Sequence, residues 1–179
     1  MDIWGPSTIN SMQGLKYSFT VVDDFSCYTW TFLLHAKSEV RQKIVSFIAY
    51  IENHFHTTAK IIRTDNDPEF SMKDFFSSKG IIHQTTCIET PEQNDIVERK
   101  HQHLLNITRV LIFPAHLPSI FWDFAFNMLL SLLTALLLRC CKTLPHMKNY
   151  MVNLVTYPIY VFLDAFVTLV LLLNIEKVR

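Results

Sequence analysis

The feature that most constrains the fold is a change of sequence pattern near residue 115. Before it, short segments alternate between strand-like and helix-like composition, and beyond it the chain becomes almost continuously apolar. Half of the 179 residues are hydrophobic and only 18% are charged, which excludes a disordered chain. We therefore predict one α/β domain over residues 1–115, followed by an apolar helical tail over residues 116–179.

Within the first region, two segments predict a β-hairpin. Tyr17–Val22 and Tyr28–Leu34 are rich in β-branched and aromatic residues, and the acids and serine between them supply turn chemistry. A helix is predicted from Ser38 to about His54, with Ser38 as its N-cap.

Shorter elements follow the first helix: strands at 60–63 and 81–84, and a helix at 72–78 that stops at Gly80. The next helix has two candidate starts, the capping box that opens at Thr90 and a second cap at Asn94. A hairpin followed by alternating helices and strands predicts an α/β layer with a mixed sheet.

The overall charge excludes one simple mode of nucleic-acid binding. Sixteen lysines and arginines balance sixteen aspartates and glutamates, so the whole protein has no net field that would attract a polyanion. DNA binding would need a local basic patch or bound cations. None of the four cysteines shows C-x-x-C spacing, which argues against a zinc module and favours reduced thiols in an intracellular protein.

Three acids occupy positions that the predicted layer would bring to one sheet edge. Asp2 opens the chain, Asp65 ends a strand and Glu98 lies in the first turns of a helix. Carboxylate oxygens suit Mg²⁺ or Mn²⁺. Each acid also has a simpler interpretation: Asp65 as a turn residue, Asp2 as a solvated terminal residue, and Glu98 as a favourable partner of the helix dipole. The spacing alone leaves both interpretations open.

A series of short motifs, in order along the chain, resembles the catalytic core of copia-type (Ty1/copia, Pseudoviridae) retrotransposon integrases. The similarity covers Asp2 to about residue 125 and fades beyond it. The matching segments are "DIWGP" at Asp2, "KYSFTVVDDFSCYTW" at Lys16, "KSEV" at Lys37, "IIRTDNDPEF" at Ile61, "GIIHQTTC" at Gly80, "TPEQNDIVERKHQHLLN" at Thr90 and "LPSIFW" at Leu117.

This resemblance implies a ribonuclease-H-like fold, in which a mixed sheet is flanked by helices. It also implies that Asp2, Asp65 and Glu98 match the family's D,D,E triad, which holds two Mg²⁺ or Mn²⁺ ions. The implied reaction is phosphoryl transfer in DNA integration, comprising 3′-end processing of the element and strand transfer into target DNA. Such chemistry depends on positioning and charge neutralisation, which a site made of carboxylates can supply.

The resemblance also implies partners and a location. Element ends and target DNA would be bound, with Asn94, Arg99, Lys100 and His103 as candidate nucleic-acid contacts; a solvated helix face is the alternative for the cations. A homo-oligomer and a nuclear location are further expectations.

Several departures from the family predict a truncated and degenerate copy. Asp67 and Asp95 stand where the family reads glycine, and Asp67 is expected to add negative charge beside the metal site. The first strand is expected to be truncated, because only Met1 precedes Asp2. One alternative function is therefore an inactive remnant that only binds nucleic acid.

A membrane-associated protein is the other alternative. Two apolar runs, 124–138 and 159–173, lie in the tail, and each has fifteen residues, whereas a membrane span needs about 20. Asp164 adds a charge to the second run. Membrane binding is therefore the less favoured expectation.

Overall fold

The computed structural model describes residues 1–26, 28–86, 94–113 and 117–140, and the side chains of the last helix up to residue 133. The chain forms two compact units. The first comprises residues 1–8 and 14–101, and the second comprises residues 9–13 and 102–179. The predicted boundary near residue 115 stays a prediction.

The first unit contains two small sheets. Strands β1 (Asp2–Trp4), β2 (Tyr17–Val22) and β3 (Thr29–Leu34) are antiparallel in the order β1-β2-β3, and β4 (Ile61–Thr64) pairs in parallel with β5 (Ile82–Thr85). The α/β class is confirmed, and both strand directions of the predicted mixed sheet are present. They occur in separate sheets, however, and the Met1 amine donates a hydrogen bond across to the Arg63 carbonyl at 2.7 Å.

The first helix, α1 (Val40–Phe55), is preceded by a turn of 3-10 helix at Lys37–Glu39. The prediction that Ser38 caps this helix is wrong. The Glu39 carboxylate instead accepts hydrogen bonds from the N–H groups of Ala36 at 2.9 Å and His35 at 3.2 Å. A carboxylate at this end also suits the helix dipole, which explains why an acid three residues into the helical segment replaces the expected serine.

Strand β2 is covered on both faces. Successive side chains of a strand point to opposite sides, so Phe19 and Val21 share one face while Ser18 and Thr20 share the other, and all four are buried. The apolar face packs into the main core of the unit. Its principal members are Ile3, Phe19, Leu34, Val40, Ile44, Phe47, Ile48, Ile62, Phe70, Phe76 and Ile81.

Two further helices complete the elements of the first unit. Helix α2 (Lys73–Ser78) follows a 3-10 turn at Pro68–Phe70, and it stops before Gly80, which has φ +68°. This ending agrees with the sequence, because glycine adopts the left-handed region without steric cost. Helix α3 (Asp95–Ile112) begins directly after Asn94, and the other predicted start, at Thr90, lies outside the described residues. Its residues up to His101 belong to the first unit.

In the second unit, the segment 9–13 holds the start of α4 (Trp122–Cys140). The Trp122 indole donates to the Ile9 carbonyl at 3.1 Å, and the Met12 N–H donates to the Ile120 carbonyl at 2.9 Å. The predicted apolar tail over 116–179 is not supported: the structure describes α4, but residues 141–179, including the run 159–173, lie outside the described residues. In the part of the chain that the structure describes, no helix combines the length and apolarity needed to cross a membrane.

Candidate active site

Asp2 is the first residue of β1, where it pairs with Thr20 of β2. Its carboxyl is partly buried, and this burial is the main reason that its pKa rises from 3.8 to about 6. The negative charge of Asp65 and, more weakly, that of Glu98 raise the pKa further, while a hydrogen bond from the Ile3 N–H opposes the rise. Asp65 and Glu98 therefore both lie within range of the Asp2 carboxyl's charge in the first unit.

Asp65 follows the last residue of β4 and is also partly buried. Burial raises the pKa of its carboxyl, and the charge of Asp67 adds to the rise. Two contacts lower this pKa. The Asp67 N–H donates a hydrogen bond to Asp65 Oδ1 at 3.2 Å, and the positive charge of Lys37 acts in the same direction. The same hydrogen bond orients the Asp65 carboxylate, because it closes a short turn directly after the strand.

The negative charge that Asp67 was predicted to add beside the acids is partly compensated. Its carboxylate pairs with Lys37 Nζ at 2.6 Å, and the hydrogen bond between them raises the pKa of Lys37. Its backbone is extended, with φ −60° and ψ 133°, so this position does not require the glycine that the family pattern would place there. The substitution is therefore accommodated by an ion pair.

Glu98 lies on α3 and is exposed. The donor chemistry of the three acids suits a hard divalent cation, since such ions prefer carboxylate oxygens. Among the described residues, however, no group of three histidines, cysteines, aspartates or glutamates could hold a metal ion as placed. Charge effects act over longer distances than metal–ligand bonds of roughly 2.0–2.6 Å, so the two findings agree. The assignment of metal ligands stays a prediction.

The four candidate nucleic-acid contacts are placed differently. Asn94 is buried, and its amide donates to the Met1 carbonyl at 3.4 Å, which argues against a DNA contact. Arg99 is exposed and forms an ion pair with Asp95 at 2.8 Å. Lys100 is partly exposed; His103 is exposed and belongs to the second unit.

Sequence reasoning missed His101. This residue is 2% exposed, stacks on Trp4 with ring centroids 5.7 Å apart, and contacts the hydroxyls of Ser18 and Thr20. A signal was present in the helical period, because position 101 falls between the buried Val97 and Leu104 on one side of α3. Ser18 and Thr20 carried no comparable signal, since alternation in β2 does not show which face meets a polar partner.

No protein-family model matches the chain. The retrovirus-related Pol polyproteins of the Arabidopsis thaliana transposons RE2 and RE1 are each 35% identical over 136 residues, or 75% of this chain. That of the Nicotiana tabacum transposon TNT 1-94 is 36% identical over 124 residues, or 68% of this chain. The chain is a homologue of copia-type retrotransposon Pol polyproteins. The chain spans only 9% of the length of each of these relatives.

One solved structure has a fold similar to that of this chain. A chain of the simian T-cell lymphotropic virus intasome, determined in complex with PP2A regulatory subunit B56 gamma, is similar with a TM-score of 0.50 and 21% sequence identity. The similarity covers 70% of this chain and 46% of that chain. At this level of identity it shows a shared fold.

Proposed function

We propose that this chain is the catalytic core of a copia-type retrotransposon integrase with a ribonuclease-H-like fold. The reaction would be metal-dependent phosphoryl transfer on DNA, namely 3′-end processing and strand transfer. One observation carries the proposal: the charges of Asp65 and Glu98 both act on the carboxyl of Asp2 and raise its pKa. Homology to copia-type Pol polyproteins and an intasome-like fold supply the context for this cluster of acids.

In this proposal, Asp2, Asp65 and Glu98 would hold Mg²⁺ or Mn²⁺. Cations bound there would supply activation of an attacking oxygen and stabilisation of the leaving oxygen at a phosphodiester. The carboxyl of Asp2, with a pKa of about 6, is mainly ionised at pH 7. Partly buried, mutually repelling carboxylates favour a cation that relieves the repulsion, and the Asp67 N–H keeps Asp65 oriented.

The DNA contacts would come from Arg99, Lys100 and His103. Arg99 and Lys100 follow Glu98 directly on α3, so phosphates held by these cations would lie close to the acids. The exposed ion pair between Arg99 and Asp95 does not prevent this, because such pairs contribute little and exchange partners at small cost. Element ends and target DNA, a homo-oligomer and a nuclear location belong to the same proposal.

The test is strand joining and cleavage on branched element-end DNA with Mg²⁺ or Mn²⁺, resolved on denaturing gels. We expect metal-dependent products from the unsubstituted protein and a loss of at least 10²-fold in Asp65→Asn and Glu98→Gln, because oriented charge stabilisation contributes on that order. Asp74→Asn, which changes an exposed acid on α2, is the matched control and should keep the activity. Equal activity in all four proteins would refute the assigned roles.

A catalytically inactive nucleic-acid-binding remnant is the second candidate. The observation that favours it is that the described acids are not placed to hold a metal ion. It predicts DNA binding that weakens steeply with salt, because bound counterions are released, and no turnover with either metal. Measuring binding and turnover on the same DNA distinguishes the two candidates.

A further inference from the structure

His101 is the most deeply buried titratable side chain of α3 that the proposed chemistry does not use. Its Nε2 lies 3.2 Å from Ser18 Oγ and its Nδ1 lies 3.0 Å from Thr20 Oγ1. Both ring nitrogens are therefore engaged by hydroxyls of a single strand, β2. The imidazole also stacks on Trp4 of β1, with an angle of 29° between the ring planes. One side chain of α3 thus contacts two neighbouring strands.

The imidazole of His101 is neutral at neutral pH. Burial lowers the pKa of His101 to about 4, so at neutral pH one ring nitrogen donates and the other accepts. The hydroxyls of Ser18 and Thr20 can each adapt, because a hydroxyl both donates and accepts. The arrangement therefore satisfies every polar atom of the ring inside a buried site, which makes it directional as well as stable.

His101 contacts β1, which carries Asp2, and β2, which pairs with β1. Thr20 pairs with Asp2 and Ser18 pairs with Trp4 in the β1–β2 register. On the helix side, Glu98 precedes His101 by three residues, so the two lie about one turn apart on α3. The Asn94 amide, directly before α3, donates to the Met1 carbonyl at 3.4 Å and gives this end of the helix a second contact within the first unit. The side chain of Glu98 is exposed, so its direction is set by how the helix backbone is held.

We propose that His101 is a positioning residue: its hydrogen bonds to Ser18 and Thr20 fix the start of α3 against β1 and β2 and thereby set the position of Glu98 relative to Asp2. This inference rests on the proposed function, because it assigns a role to the geometry of the acids. His101 does not itself contact the reacting groups.

The chain offers a matched pair of substitutions on neighbouring strands. Thr20→Val removes the hydroxyl that contacts His101 and keeps the shape of the side chain. Thr31 pairs with Thr20 on β3, and its hydroxyl is buried without a hydrogen-bond partner in the described part of the chain. Thr31→Val is therefore the control for a lost hydroxyl, and Thr20→Ser is the rescue variant because it retains the hydroxyl.

Two measurements are made on the full chain. Amide hydrogen exchange over residues 94–101 reports whether the start of α3 is held. Mn²⁺ affinity, measured by water proton relaxation, reports whether Glu98 is placed to bind. We expect Thr20→Val to speed the exchange and weaken Mn²⁺ binding roughly tenfold, as loss of a residue that orients metal ligands does. Thr31→Val and Thr20→Ser should match the unsubstituted protein in both measurements.

The outcomes separate the inference from the proposed function. Unchanged exchange in Thr20→Val overturns the positioning role, and so does faster exchange with unchanged Mn²⁺ affinity. If Thr20→Val fails to fold, Ser18→Ala, which removes only the other hydroxyl, is measured in its place with the same expectations. Absence of Mn²⁺ binding in the unsubstituted protein overturns the proposed metal site, and hydrogen exchange then still decides whether His101 holds α3.

Discussion

The two sheets of the first unit differ in how they are covered. Strand β2 lies between β1 and β3, and both of its faces are buried, with Phe19 on one face and Thr20 on the other. In the β4–β5 pair only one face is well covered: Ile62 is buried, whereas the register partners Ile61 and Ile82 are 55% and 59% exposed. The first sheet is thus enclosed by packing at its central strand, and the second is supported from one side.

This difference bears on how the acids are held. Asp2 belongs to the enclosed sheet, where its neighbours on β2 are fixed by the apolar core on one side and by His101 on the other. Asp65 follows the half-covered sheet, and a short turn orients it: the Asp67 N–H donates to its carboxylate, while the Asp67 carboxylate pairs with the more distant Lys37. Tertiary packing therefore positions one acid, and a short turn positions the other.

The largest effect is expected for Phe19→Ala in the enclosed sheet. Phe19 is fully buried and packs against Phe32 and Phe70, with ring centroids 5.8 and 6.1 Å apart. Removing its ring should lower the free energy of unfolding by about 3–5 kcal/mol, measured by urea denaturation. Phe25→Ala is the matched control, because that ring is 86% exposed and should cost far less. A similar loss in both variants would contradict the contrast in packing.

A smaller, pH-dependent effect is expected for Asp2→Asn. The folded-state pKa of about 6 lies above the ordinary 3.8, so the folded protein binds a proton more tightly than the unfolded chain between these values. The ionised carboxylate therefore destabilises the fold above pH 6. Replacing it should raise the unfolding free energy by roughly 1–2 kcal/mol at pH 8, after discounting for its partial exposure.

This stabilisation by Asp2→Asn should shrink as the pH falls towards 5, because the carboxyl of the unsubstituted protein is then largely protonated when folded. Urea denaturation at pH 8 and pH 5 measures the change, and Asp74→Asn serves as the exposed control. A gain that is equal at both pH values, or a loss at pH 8, would contradict the raised pKa of Asp2, which burial and the charges of Asp65 and Glu98 cause.

The smallest effect is expected for Ile82→Thr on the uncovered face of β5. Threonine keeps the β-branched shape that suits a strand, and the side chain is mostly exposed, so the unfolding free energy should change by no more than about 0.5 kcal/mol. Ile62→Thr on the covered face is the comparison and should be clearly destabilising. A loss above about 1.5 kcal/mol in Ile82→Thr would show that this face is covered in solution.

Local pattern predicted the elements well and their assembly less well. The bounds of β2 agree with the prediction, and β3, β4, β5 and α2 differ from it by a residue or so, because β-branched runs and turn residues act over a few positions. The division into two sheets and the cap formed by Glu39 were missed. Both depend on contacts that several arrangements of the same local pattern would allow.

For the candidate site, the sequence motifs singled out Asp2, Asp65 and Glu98, and the copia-type homology agrees with the family those motifs indicated. Asn94, which was predicted as a nucleic-acid contact, is buried. His101 was passed over, although its place in the helical period marked it as inward-facing. The role of a polar residue at a buried helical position can be inferred only when its hydrogen-bond partners are known.

By itself, the sequence determined the α/β class, the positions of most strands and helices, and the retrotransposon ancestry, because these follow from short-range periodicity and from ordered motifs. Only the tertiary structure decided that Asp65 and Glu98 act on the charge of Asp2, that Lys37 compensates Asp67, and that His101 joins α3 to β2. These are contacts between residues 30 to 96 positions apart. Their energies depend on distance and burial, which periodicity and motif spacing do not contain.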